Sequence, residues 1–168
     1  MERSSPPSPT NPMIELRSQL SPSWKAQVRP EDVVTATDSD LRYAFFLGDI
    51  HFAVNGVDFS ARWDWIPILD FALCLRSVVE DLEAGGVETL EFTESEAMIE
   101  FKLDSGLVRV AANYVSDASV VPYDSLQNAV KTFAQDVKAD LVAEFPGLLV
   151  NEAFKVYQSE VSEGGTGK

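Results

Sequence analysis

The chain has 168 residues, 45% of them hydrophobic, and a formal net charge of −14. That length and apolar content suit one domain with a single sizeable core, and the charge excludes DNA or RNA as a natural partner, because phosphate contacts need clustered Lys and Arg. No run approaches the roughly 18 consecutive apolar residues of a membrane helix, and the opening MERSSPPSPTNP lacks the apolar stretch of a secretory signal, so a cytoplasmic protein is expected.

In chain order, residues 1–12 hold four prolines and four Ser or Thr residues and predict a disordered tail. A single domain is expected over 13–161, with 162–168 a second tail. An apolar alternation around Met13 to Gln19 predicts a strand, and Ser21 to Asp40, punctuated by Pro22 and Pro30, predicts mostly loop. Two alternating runs flank Asn55-Gly56, a pair that favours a type I′ turn because both residues adopt positive φ. A two-residue turn sets Val54 opposite Val57, Phe52 opposite Phe59 and Ile50 opposite Ala61 on one apolar face. The other face carries His51 opposite Ser60 and Ala53 opposite Asp58.

Trp63-Asp64-Trp65 then leads into a helix from about Ile66 to Glu83, with Asp64 as its cap and Gly85-Gly86 as its stop. Ile68, Phe71, Leu75, Val78 and Leu82 recur at helical spacing and predict a core face. Three strands follow, at about 87–93, 96–103 and 107–115, as an antiparallel meander. The Ser105-Gly106 turn sets Phe101 opposite Val110 and Leu103 opposite Val108. A second helix is expected from Asp124, with Gln127 completing a capping box, to about Phe145, and its buried stripe is Leu126, Val130, Phe133, Val137 and Leu141. A shorter helix is expected over 149–160. The whole predicts an α+β two-layer sandwich, in which two long helices pack on one face of an antiparallel sheet of five to six strands.

No catalytic, metal or cofactor signature stands out. The single cysteine, Cys74, excludes an intramolecular disulfide and a CxxC site. It sits among Phe71, Leu73 and Leu75, the setting of a buried, inert thiol. His51, Ser60 and Asp58 share a sheet face, but such a trio lacks an oxyanion hole and a pocket, so an ordinary surface histidine is expected. Zinc needs Cys and His ligands that are absent. Glu91, Glu94 and Glu96 lack the glycine-hinged loop of a calcium site, and no phosphate-binding glycine motif is present.

The strongest signal lies between Glu80 and Asp104, where nine carboxylates accompany one base, Lys102. Carboxylates at the end of a helix oppose its dipole, and Glu91 is expected diagonally near Glu96 and Glu100, a like-charge arrangement. Repeated local conflicts of this kind concentrate at functional sites, although acidic faces also serve solubility alone. The meander divides the block in two, with Glu80, Asp81, Glu83 and Asp104 at one end and Glu91, Glu94 and Glu96 at the other. The expected function is a non-catalytic, acidic protein-interaction module of the immunity or inhibitor kind. It would bind a basic protein surface through Glu91, Glu94, Glu96 and Glu100. The alternative is a small-molecule site built on the aromatic cluster, with Trp63 and Trp65 as walls and Asp64 and Asp70 as polar anchors.

The stretch HFAVNGVDFSARWDWIPILDFALCL, followed by EFTESEAMIEF, resembles an uncharacterised group of small bacterial, actinobacterial proteins. The resemblance covers about 50 residues of apolar framework. It implies a bacterial cytoplasmic origin and transfers no functional residue.

Overall fold

The computed structural model describes residues 13–92 and 95–163, with side chains to residue 158. Both expected tails therefore lie almost wholly outside the described residues, as do Thr93 and Glu94. Two four-stranded antiparallel sheets and three longer helices make up the α+β fold.

The first sheet contains β1 (Ile14–Leu20), β2 (Leu47–Val54), β3 (Val57–Asp58) and β4 (Ala61–Pro67), with β2 central. The Asn-Gly hairpin forms in the expected register, Val54 opposite Val57 and Ile50 opposite Ala61. Asn55 and Gly56 take φ of 49° and 88°, the left-handed conformation that this turn demands. Asn55 also works as a clasp: its Oδ1 accepts from the Met13 N–H at 2.9 Å and its Nδ2 donates to the Val120 carbonyl at 3.0 Å.

The second sheet is β5 (Val87–Glu91), β6 (Met98–Asp104), β7 (Leu107–Ala112) and β8 (Ser119–Pro122), in that order. Phe101 opposes Val110 and Leu103 opposes Val108, as the turn chemistry predicts. Strand β8 was not expected. It is four residues long and ends in proline, too short for alternation to register.

One sheet of five to six strands was expected and two sheets of four are found. The pairing of β2 with β4 carries a bulge. Gly48 opposes Ile66 while Ile50 opposes Ala61, so Asp49 alone faces the four residues Arg62 to Trp65. Asp64 sits at the apex with φ 70°, and its N–H donates to Asp49 Oδ1 at 2.8 Å. A bulge of this size bends and twists the strand, and beyond it β4 leads straight into the first long helix.

That helix, α3 (Ile68–Gly85), packs on α4 (Tyr123–Glu144) and against β5 and β6, and α4 lies along β1 and β8. Ile68, Phe71, Leu75 and Leu82 of α3 are buried with the whole expected stripe of α4, each side chain stabilising the fold by roughly 1.5 to 3 kcal/mol. The expected caps are corrected. Asp64 does not cap α3 and Asp124 does not cap α4; Pro67 and Pro122 hold those positions, at φ −70° and −60°, with no side-chain cap bond. Their fixed φ already suits helix entry, so a side-chain cap is not needed to set the geometry. Asp124 lies in the first turn instead, where its charge still favours the dipole. The stop is as expected, since Gly86 closes α3 at φ 79°.

Ser21 to Asp40, expected as loop, holds two short helices, α1 (Pro22–Gln27) and α2 (Asp32–Thr35), followed by a π-helical turn over Asp40–Ala44. The Ser21 hydroxyl caps α1 by accepting from the Trp24 N–H at 3.2 Å. Buried Asn151, before α5 (Glu152–Glu163), pins this segment by donating from Nδ2 to the carbonyls of Val33 at 2.7 Å, Ala36 at 2.9 Å and Val34 at 3.3 Å. Its Oδ1 caps α5 by accepting from the Phe154 N–H at 2.8 Å. Among the described residues, no helix is long and apolar enough to cross a membrane.

Candidate functional site

The β4 bulge places two indoles side by side. Trp63 stacks on Trp65, with centroids 5.6 Å apart and planes 26° from parallel, and meets the edges of Phe92 at 5.3 Å and Tyr114 at 5.4 Å. Phe92 directly follows β5, so the aromatic cluster of one sheet closes on the acidic end of the other. Trp65 remains 38% exposed. Tyr114 is fixed by donating its hydroxyl to the Phe59 carbonyl at 2.7 Å. Burial, with a smaller contribution from the charge of Asp58, raises the phenol well above its ordinary value.

Glu91, Glu96 and Glu100 are exposed, and no ion pair among the described residues engages them. Glu91 opposes Met98, itself 37% exposed, which sets Glu91 diagonal to Glu100 as expected. Glu94, the fourth candidate, lies outside the described residues. The bases are at the far end of the meander: Lys102 opposes Arg109, and Arg76 reaches Glu80 at 3.2 Å. The uncompensated charge therefore gathers at the end that touches the tryptophans.

The four residues of the alternative site do not converge. Trp63 and Trp65 stack, and Asp64 is exposed at the bulge apex. Asp70 is buried and committed elsewhere, its Oδ1 accepting from Arg42 Nε at 2.8 Å and from Arg42 Nη2. Burial acts to lower the pKa of Arg42, but the hydrogen bond and charge of Asp70 outweigh it and leave it raised. Tyr43 and Tyr157 each flank that guanidinium at 5.8 Å. Cys74 Sγ is 3.7 Å from both partners of the pair, and burial followed by the charge of Asp70 raises its pKa, which keeps the thiol protonated. Ile66, Pro67, Asp70, Cys74, Glu91 and Phe92 line a half-open hollow of only about 10 Å³, room for about one water and no more.

His51 is locked between two side chains. Arg62 Nη2 donates to Nδ1 at 2.8 Å, so Nδ1 carries no proton, and Nε2–H donates to Glu15 Oε1 at 2.8 Å. Ser60 Oγ lies 3.4 Å from the same Nδ1 but accepts from the Phe52 N–H at 3.0 Å. Asp58 bonds the Ser60 N–H and Arg62 rather than the imidazole, and those Ser60 bonds, before the smaller effect of Arg62, hold its pKa below the usual range. The Ser60, His51 and Asp58 set thus lacks the relay order of a hydrolase triad.

Sequence reasoning missed Arg42, Asn151 and Tyr114, whose partners lie 28, 118 and 55 residues away. Such contacts leave no local pattern. Compared with family models, curated proteins and solved structures, the chain matches none.

Proposed function

We propose that this chain is a non-catalytic, acidic interaction module that captures a basic protein surface, in the manner of an immunity or inhibitor protein. The observation that supports it is the ring contact of Trp63, stacked on the exposed Trp65, with Phe92 at 5.3 Å, which ties the indole pair to the strand end that carries Glu91. An exposed indole tied through Trp63 and Phe92 to the strand end that carries Glu91 suits an arginine side chain. The ring face attracts the guanidinium by about 0.5 to 2 kcal/mol, and a carboxylate accepts it with two parallel bonds. Exposed Met98 adds an adaptable apolar contact between the acids. The net charge of −14 accelerates encounter with a cationic partner at low salt.

The test uses triarginine amide, too short to pair along a strand, titrated while tryptophan emission is followed. Emission changes at low salt, and the response falls away at about 0.5 M salt, where exposed charges are screened. Reversing Glu91, Glu94, Glu96 and Glu100 to Lys together abolishes the response while the circular dichroism stays unchanged. A folded charge-reversed variant that still responds overturns the proposal.

A further inference from the structure

We infer that the free edge of β1 takes up an extended basic segment of a partner protein as an added strand, over a groove formed with α4. β1 pairs only with β2, so its other edge has no strand neighbour among the described residues. The register says which groups are left open. Asn55 N–H donates to the Met13 carbonyl and Ser21 N–H to the Leu47 carbonyl, so odd-numbered residues of β1 bond toward β2. The N–H and C=O groups of Ile14, Leu16, Ser18 and Leu20 then point outward. An open row of this kind is a template for strand addition.

The other sheet edges are shielded in ways that β1 is not. β3 has two residues, β4 is bulged and ends in Pro67, β5 has five residues with two glutamates, and β8 ends in Pro122 with a carbonyl already taken by Asn55. β1 runs for seven residues without proline, and its pairing with β2 has no bulge.

Beside it lie two hollows, of about 520 and 170 Å³, which share Ser18, Val137 and Asp140 and so form one groove. Its floor includes Leu20, Ile68, Val137 and Leu141, and its α4 wall carries Asp136, Asp140 and Glu144 at successive helical turns. Lys25 pairs with Glu144 at 2.9 Å, whereas no ion pair among the described residues holds Asp136 or Asp140. Side chains on the core side of an added strand would hang over this wall. Apolar ones would meet Val137 and Leu141, and basic ones Asp136 and Asp140. A second copy fits less well, because its own acidic α4 would be brought against this one.

This surface shares no residue with the Trp65 surface, so either can fail alone. The probe is the octapeptide Thr-Val-Thr-Lys-Thr-Val-Thr-Lys, compared with the same peptide carrying Glu for Lys, added to the full chain. Amide exchange should slow at least about tenfold at Leu16 and Ser18 and stay unchanged at Arg17. Ser18→Pro removes an outward N–H and no ladder bond, so it should keep the fold and weaken binding about tenfold or more. Asp136→Lys with Asp140→Lys should weaken it similarly and admit the Glu peptide. Absent binding, binding that spares the even-numbered amides, or self-association through β1 that Ser18→Pro dissolves would each overturn the inference.

Discussion

Trp63 meets Phe92 edge to face at 5.3 Å, and through this contact the bulge of the first sheet is fastened to the acidic strand end of the second. The two indoles of the bulge therefore have different duties. Trp63 is packing, while Trp65, stacked on it and 38% exposed, is open to solvent and forms part of the proposed capture surface.

Replacing each with Ala separates these duties. Trp63→Ala should cost roughly 3 kcal/mol, since it empties a site between three aromatic rings. Trp65→Ala should cost about 1 kcal/mol, near the value of one ring pair. Urea denaturation of both variants measures the difference, and equal losses would contradict the assignment.

Asp70 and Arg42 form an ion pair with little solvent access, their side chains 11% and 25% exposed. Removing one member of such a pair leaves the other uncompensated, so Asp70→Ala should destabilise by roughly 3 kcal/mol. Arg42→Met with Asp70→Ala should then cost less than the sum of the single changes. A double-mutant cycle reads this coupling directly.

Asn151 holds three carbonyls of the segment around α2, and Asn151→Ala strands them in a buried site. The expected loss is roughly 2 to 4 kcal/mol. Amide exchange should quicken in the α2 segment and at Phe154, whose N–H loses its acceptor. Asn151→Asp should fare no better, because a carboxylate cannot donate to a carbonyl.

Tyr114 gives the protein an alkaline limit. Its folded pKa is raised, by burial first, above the value of about 10 expected when unfolded. The neutral phenol's contribution is thus complete below about pH 10 and is lost as pH climbs toward the folded value. Tyr114→Phe should flatten that alkaline decline while costing about 1 kcal/mol at neutral pH for the lost bond to Phe59. Thermal melts across pH 8 to about 12 should show the two curves converging as pH rises.

Local chemistry carried much of this fold into the sequence. Asn55-Gly56 and Ser105-Gly106 set two hairpin registers because the turn length alone determines them, and the α4 stripe followed from spacing. The bulge escaped notice because Trp63-Asp64-Trp65 alternates like an unbroken strand, and only the pairing with Asp49 reveals the extra residues. The candidate acids could be named, but not their neighbours. That Phe92, the residue after Glu91, meets Trp63 depends on how two sheets meet, which no spacing encodes.

The most direct test of the proposed capture surface maps, by amide chemical shifts, where triarginine amide lands on the full chain. The expected result is a set of shifts confined to Trp65, Glu91, Met98 and Glu100, with Trp65→Ala weakening affinity about tenfold. Shifts scattered over every acidic surface, or an affinity unchanged in Trp65→Ala, would contradict it.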